Sequence, residues 1–247
     1  MLLGAGCAFG PSAWKFDVVL TRIERDNSQD FCGTCASTHR SMILDEYAAE
    51  ATDSDLELLE TVVARDGVEG LSAQRLERAE AAIEVLEARK SGPALIRLAT
   101  QSALSPAIRF EAIKAIDRSG SAGLGLACSA ALVDEADDER ANDLVRCVLG
   151  HAATPRDVLA RARASPATEH RANVRLILDE ALALESTTLR CTPSASLATN
   201  CVYRCPLGAR VVDRACPCSE AVELSPSLES INERPCRGPT TRVPGAQ

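Results

Sequence analysis

Apolar residues recur along this chain at helical spacing, in a pattern that repeats every 31 residues. Aligned without gaps, four consecutive rows cover 71–101, 102–132, 133–163 and 164–194. Early in each row apolar residues follow at intervals of three or four, as Ile113 and Ile116 do in the second row. This spacing places apolar side chains on one face of a helix. Each row is therefore predicted to open with a helix that buries one face.

Helix breakers divide the rows into halves. They are Ser91-Gly92-Pro93, Ser119-Gly120-Ser121 and the segment 150–155. A second apolar segment follows each of them, so each row is predicted to form a pair of helices. Ser105 before Pro106 and Thr154 before Pro155 predict helix starts, because proline at the first helical position loses no intrahelical hydrogen bond.

Further helices are predicted upstream of the first row. Ser54 and Glu57 have the spacing of a capping box and predict a helix over about 55–66. Another helix is predicted from Thr38 to Ala51. Six or more helices then precede a cysteine-rich C-terminal segment.

The segment Ser105-Pro-Ala-Ile-Arg-Phe-Glu-Ala-Ile-Lys-Ala-Ile116 resembles the first helix of a HEAT-like repeat of the phycobilisome-lyase type. The usual pattern there is Pro-x-Val-Arg-x-x-Ala-x-x-Ala-Leu, and the repeat length is about thirty residues. The resemblance covers 71–185 and implies an α-solenoid, in which helix pairs bury their apolar faces against neighbouring pairs. Such solenoids serve mostly as binding scaffolds and occasionally as enzymes.

These patterns predict an all-α protein, a short α-solenoid of HEAT-like helix pairs with an irregular, cysteine-rich C-terminal tail. The expected division is an N-terminal segment at 1–37, a helical repeat domain at 38–185 and a Cys/Pro-rich tail at 186–247. Aromatic residues make up only 3% of the chain, which favours packing of helix on helix over a β-sandwich.

One arginine occupies the same column in each row. The four are Arg78, Arg109, Arg140 and Arg171. In stacked helical repeats such an arginine commonly bonds to acids or carbonyls of the adjoining repeat, and we expect this structural role. The alternative is a ladder of sites for phosphates or carboxylates.

The charge of the chain argues against a nucleic acid partner. The formal net charge is −8, opposite in sign to a surface that neutralises phosphates. The acidic excess is greatest in 41–70, where nine Asp or Glu accompany the single Arg65. A solvated helix face or a surface for a basic partner would explain this run. The longest nearly uninterrupted apolar stretch, 124–133, is too short to cross a bilayer.

Eleven cysteines are present, and more than half of them lie in the last 57 residues. These six are Cys191, Cys201, Cys205, Cys216, Cys218 and Cys236. Their density indicates a disulfide framework that orders the tail in place of a hydrophobic core. Zinc is the alternative, because the pairs at 201/205 and 216/218 supply four thiolates, but neither spacing matches the usual C-x-x-C knuckle.

The N-terminus and the cysteines bear on the compartment. Met1-Leu-Leu-Gly-Ala-Gly-Cys7 resembles the end of a bacterial lipoprotein signal peptide, which implies lipidation of Cys7. With Cys7 lipidated, the number of remaining cysteines is even. The expected location is the periplasm or outer envelope of a bacterium, with membrane contact only through the lipid; the alternative is the cytoplasm.

Cys32-Gly-Thr-Cys35 resembles the redox motif of thioredoxin-like proteins. A structural disulfide is the preferred interpretation, because no strand pattern precedes the motif. Nucleotide-binding and serine-hydrolase motifs do not occur in the sequence. We therefore expect a non-enzymatic scaffold that binds another protein, with no catalytic residue, metal or cofactor. The alternatives are a redox factor using Cys32 and Cys35, or a lyase-type enzyme as the family resemblance allows.

Overall fold

The computed structural model describes residues 11–29, 33–184, 189–196, 200–207, 210–214, 221–224 and 234–235. The described chain is mostly helical, and the all-α class is confirmed. The helices are α1 (Pro11–Gln29), α2 (Gly33–Glu50), α3 (Asp53–Asp66), α4 (Ala73–Ala88), α5 (Gly92–Thr100), α6 (Pro106–Arg118), α7 (Leu124–Leu132), α8 (Asp138–His151), α9 (Pro155–Ala164), α10 (Pro166–Glu169) and α11 (Ala172–Ala183).

Each predicted breaker falls at a boundary between two helices. Gly92 begins α5, the segment 119–121 lies between α6 and α7, and α9 begins at Pro155. The first three rows of the repeat thus correspond to the pairs α4–α5, α6–α7 and α8–α9. In the fourth row the equivalent of these first helices is α11, which follows the short α10.

The chain divides into two compact units, 1–131 and 132–247. In the first unit, α4 contacts both α2 and α6, and α5 contacts both α3 and α6. Helices that open consecutive rows therefore lie against each other. Helix α1 packs on α2 and α3.

The second unit repeats this relationship. Helix α11 of the fourth row contacts α8, the first helix of the third row. It also packs against α9 and the short α10. The sequence period is accompanied in each unit by contact between equivalent helices, as expected when repeats bury their apolar faces against one another.

The predicted apolar positions form the core. Ile83, Leu86, Ile113, Ile116 and Leu144 are all buried. Alanines at Ala82, Ala112, Ala115 and Ala141 are also buried. Small side chains let neighbouring helices approach closely, which explains how a chain with few aromatic residues builds a dense core.

The helix starts agree with the sequence in part. The hydroxyl of Ser105 accepts a hydrogen bond from the backbone N–H of Ile108, as predicted for α6. Helix α3 is capped by Thr52 and Asp55, so the prediction of a capping box at Ser54 and Glu57 is wrong. Thr52 and Asp55 have a matching spacing two residues earlier, and the Asp55 carboxylate accepts from the Thr52 backbone N–H at 2.8 Å. Thr154 precedes α9 without a side-chain capping bond.

The tail is more regular than predicted. It forms β1 (Leu189–Ser196), β2 (Asn200–Arg204), β3 (Arg210–Arg214), β4 (Val222–Leu224) and β5 (Arg234–Pro235), in the sheet order β4-β1-β2-β3-β5. The pairs β1–β2, β2–β3 and β1–β4 are antiparallel, and β5 runs parallel to β3. The expectation of an irregular tail is therefore wrong. The prolines do not prevent strand formation, because Pro193 lies in β1 at a shift in register, where a proline is tolerated.

The tail also has buried apolar residues, so cross-links are not its sole source of order. Leu189, Val202, Tyr203 and Leu207 are all buried. Both backbone polar groups of Leu207 are bound by helices of the same unit. Arg146 of α8 donates to its carbonyl at 3.2 Å, and Glu180 of α11 accepts from its N–H at 3.0 Å.

Disulfides occur in the tail and in the helices. Cys191 of β1 is bonded to Cys205, directly after β2. Cys201 is also disulfide-bonded, and so are Cys128 of α7 and Cys147 of α8. The sequence analysis did not single out the two helical cysteines. Cys7, Cys216, Cys218 and Cys236 lie outside the described residues.

We predict that Ile113→Ala lowers the free energy of unfolding by about 2–5 kcal/mol, because it leaves a cavity in a fully buried site. Urea denaturation measures this change. Leu126→Ala is the matched control, since Leu126 is 62% exposed, and its effect should stay within about 0.5 kcal/mol. Equal effects of the two substitutions would contradict the assigned core.

We predict that the tail bridge joins Cys205 to Cys191. Trypsin under non-reducing conditions should yield the peptide 205–210 linked to 191–204, together with the peptide that carries the disulfide partner of Cys201. Because Cys201 lies on the second peptide, fragment ions are needed to assign the bridge. Recovery of 205–210 with a free thiol, or joined to Cys201, would show that the pairing is wrong.

Candidate functional site

A cleft of about 480 Å³ opens in the first unit, where α1, α2, α4 and the end of α3 meet. Most of its lining is charged or polar. The lining residues are Asp17, Leu20, Thr21, Ile23, Glu24, Arg40, Arg65, Asp66, Gln74, Arg75, Glu77, Arg78 and Ala81. This volume lies in the range of sites for small ligands and short peptide segments.

Helix α1 forms one wall of the cleft and is fixed by its apolar face. Phe16 and Ile23 are buried. The Phe16 ring lies 5.7 Å, centroid to centroid, from that of Tyr47 on α2. Burial and the nearby Asp55 raise the pKa of Tyr47 to about 12, so its hydroxyl stays neutral at physiological pH. This packing leaves Asp17 and Glu24 on the cleft side of α1.

Asp66 lies at the centre of the site and is the last residue of α3. It is only 1% exposed, although a carboxylate at a helix C-terminus faces the negative end of the helix dipole. Arg65 binds it with two hydrogen bonds, Nε to Oδ1 at 2.9 Å and Nη2 to Oδ2 at 2.7 Å. Arg75 of α4 donates from Nε to Oδ1 at 3.0 Å. The two arginines thus compensate a carboxylate that its position alone would disfavour.

The arginines keep Asp66 ionised. Burial by itself would raise the pKa of this carboxyl, but the hydrogen bonds and charges of Arg65 and Arg75 outweigh burial and hold the pKa below its ordinary value. At neutral pH Asp66 is therefore a fixed hydrogen-bond acceptor rather than a proton donor or acceptor.

A third arginine links this cluster to α1. Arg78 Nη2 lies 2.5 Å from Oδ1 of Asp17, and its Nε lies 3.4 Å from Oδ2 of Asp66. We call Arg65, Arg75, Arg78 and Asp66 the arginine cluster. It joins α1, α3 and α4 through charged contacts.

Gly67 follows Asp66 at the end of α3, where the surrounding atoms leave no room for a side chain. A side chain there would lie 2.8 Å from the Val63 carbonyl oxygen and 2.9 Å from the Ile108 side chain. The Gly67 carbonyl accepts from the backbone N–H of Ser105, just before α6. The end of α3, and with it Asp66, is thereby held against the start of α6.

The arginines of the repeat column have different surroundings. Arg78 is part of the arginine cluster, and Arg109 is buried in α6. Arg140 donates to both carboxylate oxygens of the buried Glu135 at 3.0 Å. Arg171 donates to the carbonyls of Asp134 and Glu135. In the fourth row the arginine thus bonds to carbonyls that belong to the preceding row.

The other predicted site residues are not brought into the cleft by the described structure. Cys32 lies outside the described residues, and of Cys35 only the backbone is described, in the first turn of α2. The element before this motif is helix α1, whereas a thioredoxin-like motif follows a strand. Within the described residues no three His, Cys, Asp or Glu side chains are grouped to hold a metal ion. No helix in that part of the chain is long and apolar enough to span a membrane.

Sequence reasoning missed Asp66, Arg65 and Arg75. The signal in the sequence is Arg65, the single arginine within the acidic run, which lies directly before Asp66. Nothing in the repeat pattern pairs that acid with a residue of the next helix. Comparison with protein families, curated proteins and solved structures found no match to this chain.

We predict that Asp66→Asn destabilises the protein by at least about 2 kcal/mol at pH 7, because three arginines then face a neutral amide. Since the pKa of Asp66 is lowered in the folded state, its contribution is present above its ordinary value near 3.8 and is lost as the pH falls through the lower folded-state pKa. The difference between wild type and variant should accordingly shrink below about pH 4. Urea denaturation across pH 3–7 measures it.

Asp45→Asn is the control, since Asp45 is exposed on α2. Its effect should stay within about 0.5 kcal/mol at every pH. A constant difference between Asp66→Asn and wild type from pH 3 to pH 7 would contradict the charge argument.

Proposed function

We propose that this chain is a non-enzymatic scaffold that binds another protein, and that the cleft beside the arginine cluster receives part of that partner. The cleft is the observation that carries the proposal. Its charged side chains are borne by packed helices, so they are held in place before any partner arrives. Preorganised charged groups of this kind lower the entropic cost of binding.

The ionisation of the cleft supports binding over catalysis. A general acid or base needs a pKa near the working pH. The pKa of Asp66 is shifted away from neutral pH, because the hydrogen bonds from Arg65 and Arg75 lower it. A carboxylate locked in its charged form by arginines fixes their geometry and is suited to recognition.

Helix pairing supports the scaffold part of the proposal. Equivalent helices lie in contact within each unit, as α4 does with α6 and α8 with α11. We interpret these contacts as HEAT-like repeats, an arrangement that presents helix surfaces to partners. The fold alone assigns no chemistry, so the choice of function depends on the cleft.

We also propose that the protein works in an oxidising compartment, the bacterial envelope. Five of the described cysteines are disulfide-bonded: Cys128, Cys147, Cys191, Cys201 and Cys205. Disulfides persist in exported proteins and are rare in a reducing cytosol. Lipidation of Cys7 belongs to the same proposal and would supply the membrane attachment.

We predict that a photo-crosslinking amino acid at Gln74, an exposed position of the cleft, captures one protein in cells of the source organism. The same amino acid at Leu176, exposed on α11, is the matched control. The captured protein is then purified and titrated against the scaffold by calorimetry. Saturable binding that Gln74→Trp weakens and Leu176→Trp does not would support the proposal; a captured protein that does not bind when purified would contradict it.

A further inference from the structure

The cleft has a basic side, formed by the arginine cluster, and an acidic side, formed by Glu24 and Glu77. Each side would attract a ligand group of the opposite charge. We propose that the cleft binds a short peptide segment that carries a carboxylate and a basic group close together. The carboxylate lies against Arg75 in the arginine cluster, and the basic group lies between Glu24 and Glu77. This inference rests on the proposed function and names the chemistry of the partner.

The arginine side has more hydrogen-bond donors than its own acid can use. Each guanidinium carries five N–H groups, whereas one carboxylate offers about four acceptor positions. Asp66 is 1% exposed and lies behind the arginines, while the Arg75 side chain is 43% exposed. Nε and Nη2 of Arg75 lie 3.0 and 2.9 Å from Oδ1 of the buried acid, which orients the guanidinium, and its outer edge, formed by Nη1 and Nη2, is available to a second carboxylate. Arginine binds carboxylates through paired N–H groups, which favours this ligand.

The acidic side is formed by Glu24 of α1 and Glu77 of α4. Both side chains are exposed and line the cleft. Glu24 accepts a hydrogen bond from the Gln74 amide at 3.3 Å. Within the described part of the chain, neither glutamate has an ion-pair partner. A lysine or arginine side chain of a ligand would supply the missing positive charge.

The balance of charge in the lining excludes a polyanion as the ligand. Four arginines face four acids: Arg40, Arg65, Arg75 and Arg78 against Asp17, Glu24, Asp66 and Glu77. Nucleic acid and polyphosphate need a positive surplus, which this cleft lacks. A segment with one charge of each sign matches both sides and adds no net charge.

The experiment uses the full chain and a set of short peptides with blocked ends. One group carries Lys and Asp separated by zero to three alanines. Matched peptides replace Asp by Asn or Lys by Gln, and another arm replaces Asp by a free C-terminal carboxylate. Binding is measured by NMR titration. The peptides with a free C-terminal carboxylate distinguish a side-chain carboxylate from a chain terminus.

We expect at least one Lys/Asp spacing to bind about fivefold more tightly than either singly charged peptide, the gain of one modest ion pair. Arg75→Gln should remove the preference for Asp over Asn and keep the preference for Lys over Gln. Glu77→Gln should do the reverse. Arg97→Gln is the control, because Arg97 pairs with Glu60 on the surface and does not line the cleft.

Equal binding of the Lys/Asp peptides and the singly charged peptides would overturn the inference. So would a preference for Asp that survives Arg75→Gln, or tighter binding of inorganic polyphosphate. Glu77 makes no ion pair in the described structure, so Glu77→Gln should fold even if Arg75→Gln does not. If the crosslinked partner binds while no mixed-charge peptide does, this inference fails and the scaffold proposal stands. If the mixed-charge peptides bind and no protein partner is found, this inference stands and the scaffold proposal fails.

Discussion

The burial of one carboxylate, Asp66, is the constraint on which the first unit depends. A charge removed from water at the C-terminal end of a helix needs strong compensation, and here arginines from α3 and α4 provide it. Arg65 binds both oxygens of Asp66 from within α3, and Arg75 donates to Oδ1 from α4, so the carboxylate ties the end of α3 to α4. Arg78 extends the cluster to Asp17 and brings in α1. The cleft lies beside this cluster and is lined by all four of its residues.

Much of the helical structure could be predicted from local signals. The placement of Ser, Thr and Pro gave the starts of α6 and α9, which begin at Pro106 and Pro155. The start of α3 was misplaced because two capping-box spacings overlap, and the spacing beginning at Thr52 is the one used. The arginine cluster could not be predicted in this way. Its members belong to separate helices, and only tertiary packing brings Asp66 to Arg75, nine residues further on.

The tail shows why composition misled. Frequent prolines argue against helices but not against short strands, and Pro193 occupies a shift in the pairing of β1 with β2. Four buried apolar residues contribute to its order, and Leu207 after β2 is hydrogen-bonded to α8 and α11. The helical cysteines were missed for a related reason. Their bonds follow from proximity in the folded chain, and Cys128 and Cys147 have no spacing in the sequence that marks them.

The bridge between Cys191 and Cys205 has a mechanical consequence. A pulling force that reaches Leu207 acts on its two hydrogen bonds, one accepted from Arg146 and one donated to Glu180. If these yield, the force passes from Cys205 through sulfur directly to Cys191, and the residues between them carry no load. The parts of β1 and β2 between Cys191 and Cys205 therefore cannot be drawn out by tension between α11 and Cys205. The pairing of these two strands is shielded from stretching as long as the sulfurs stay bonded.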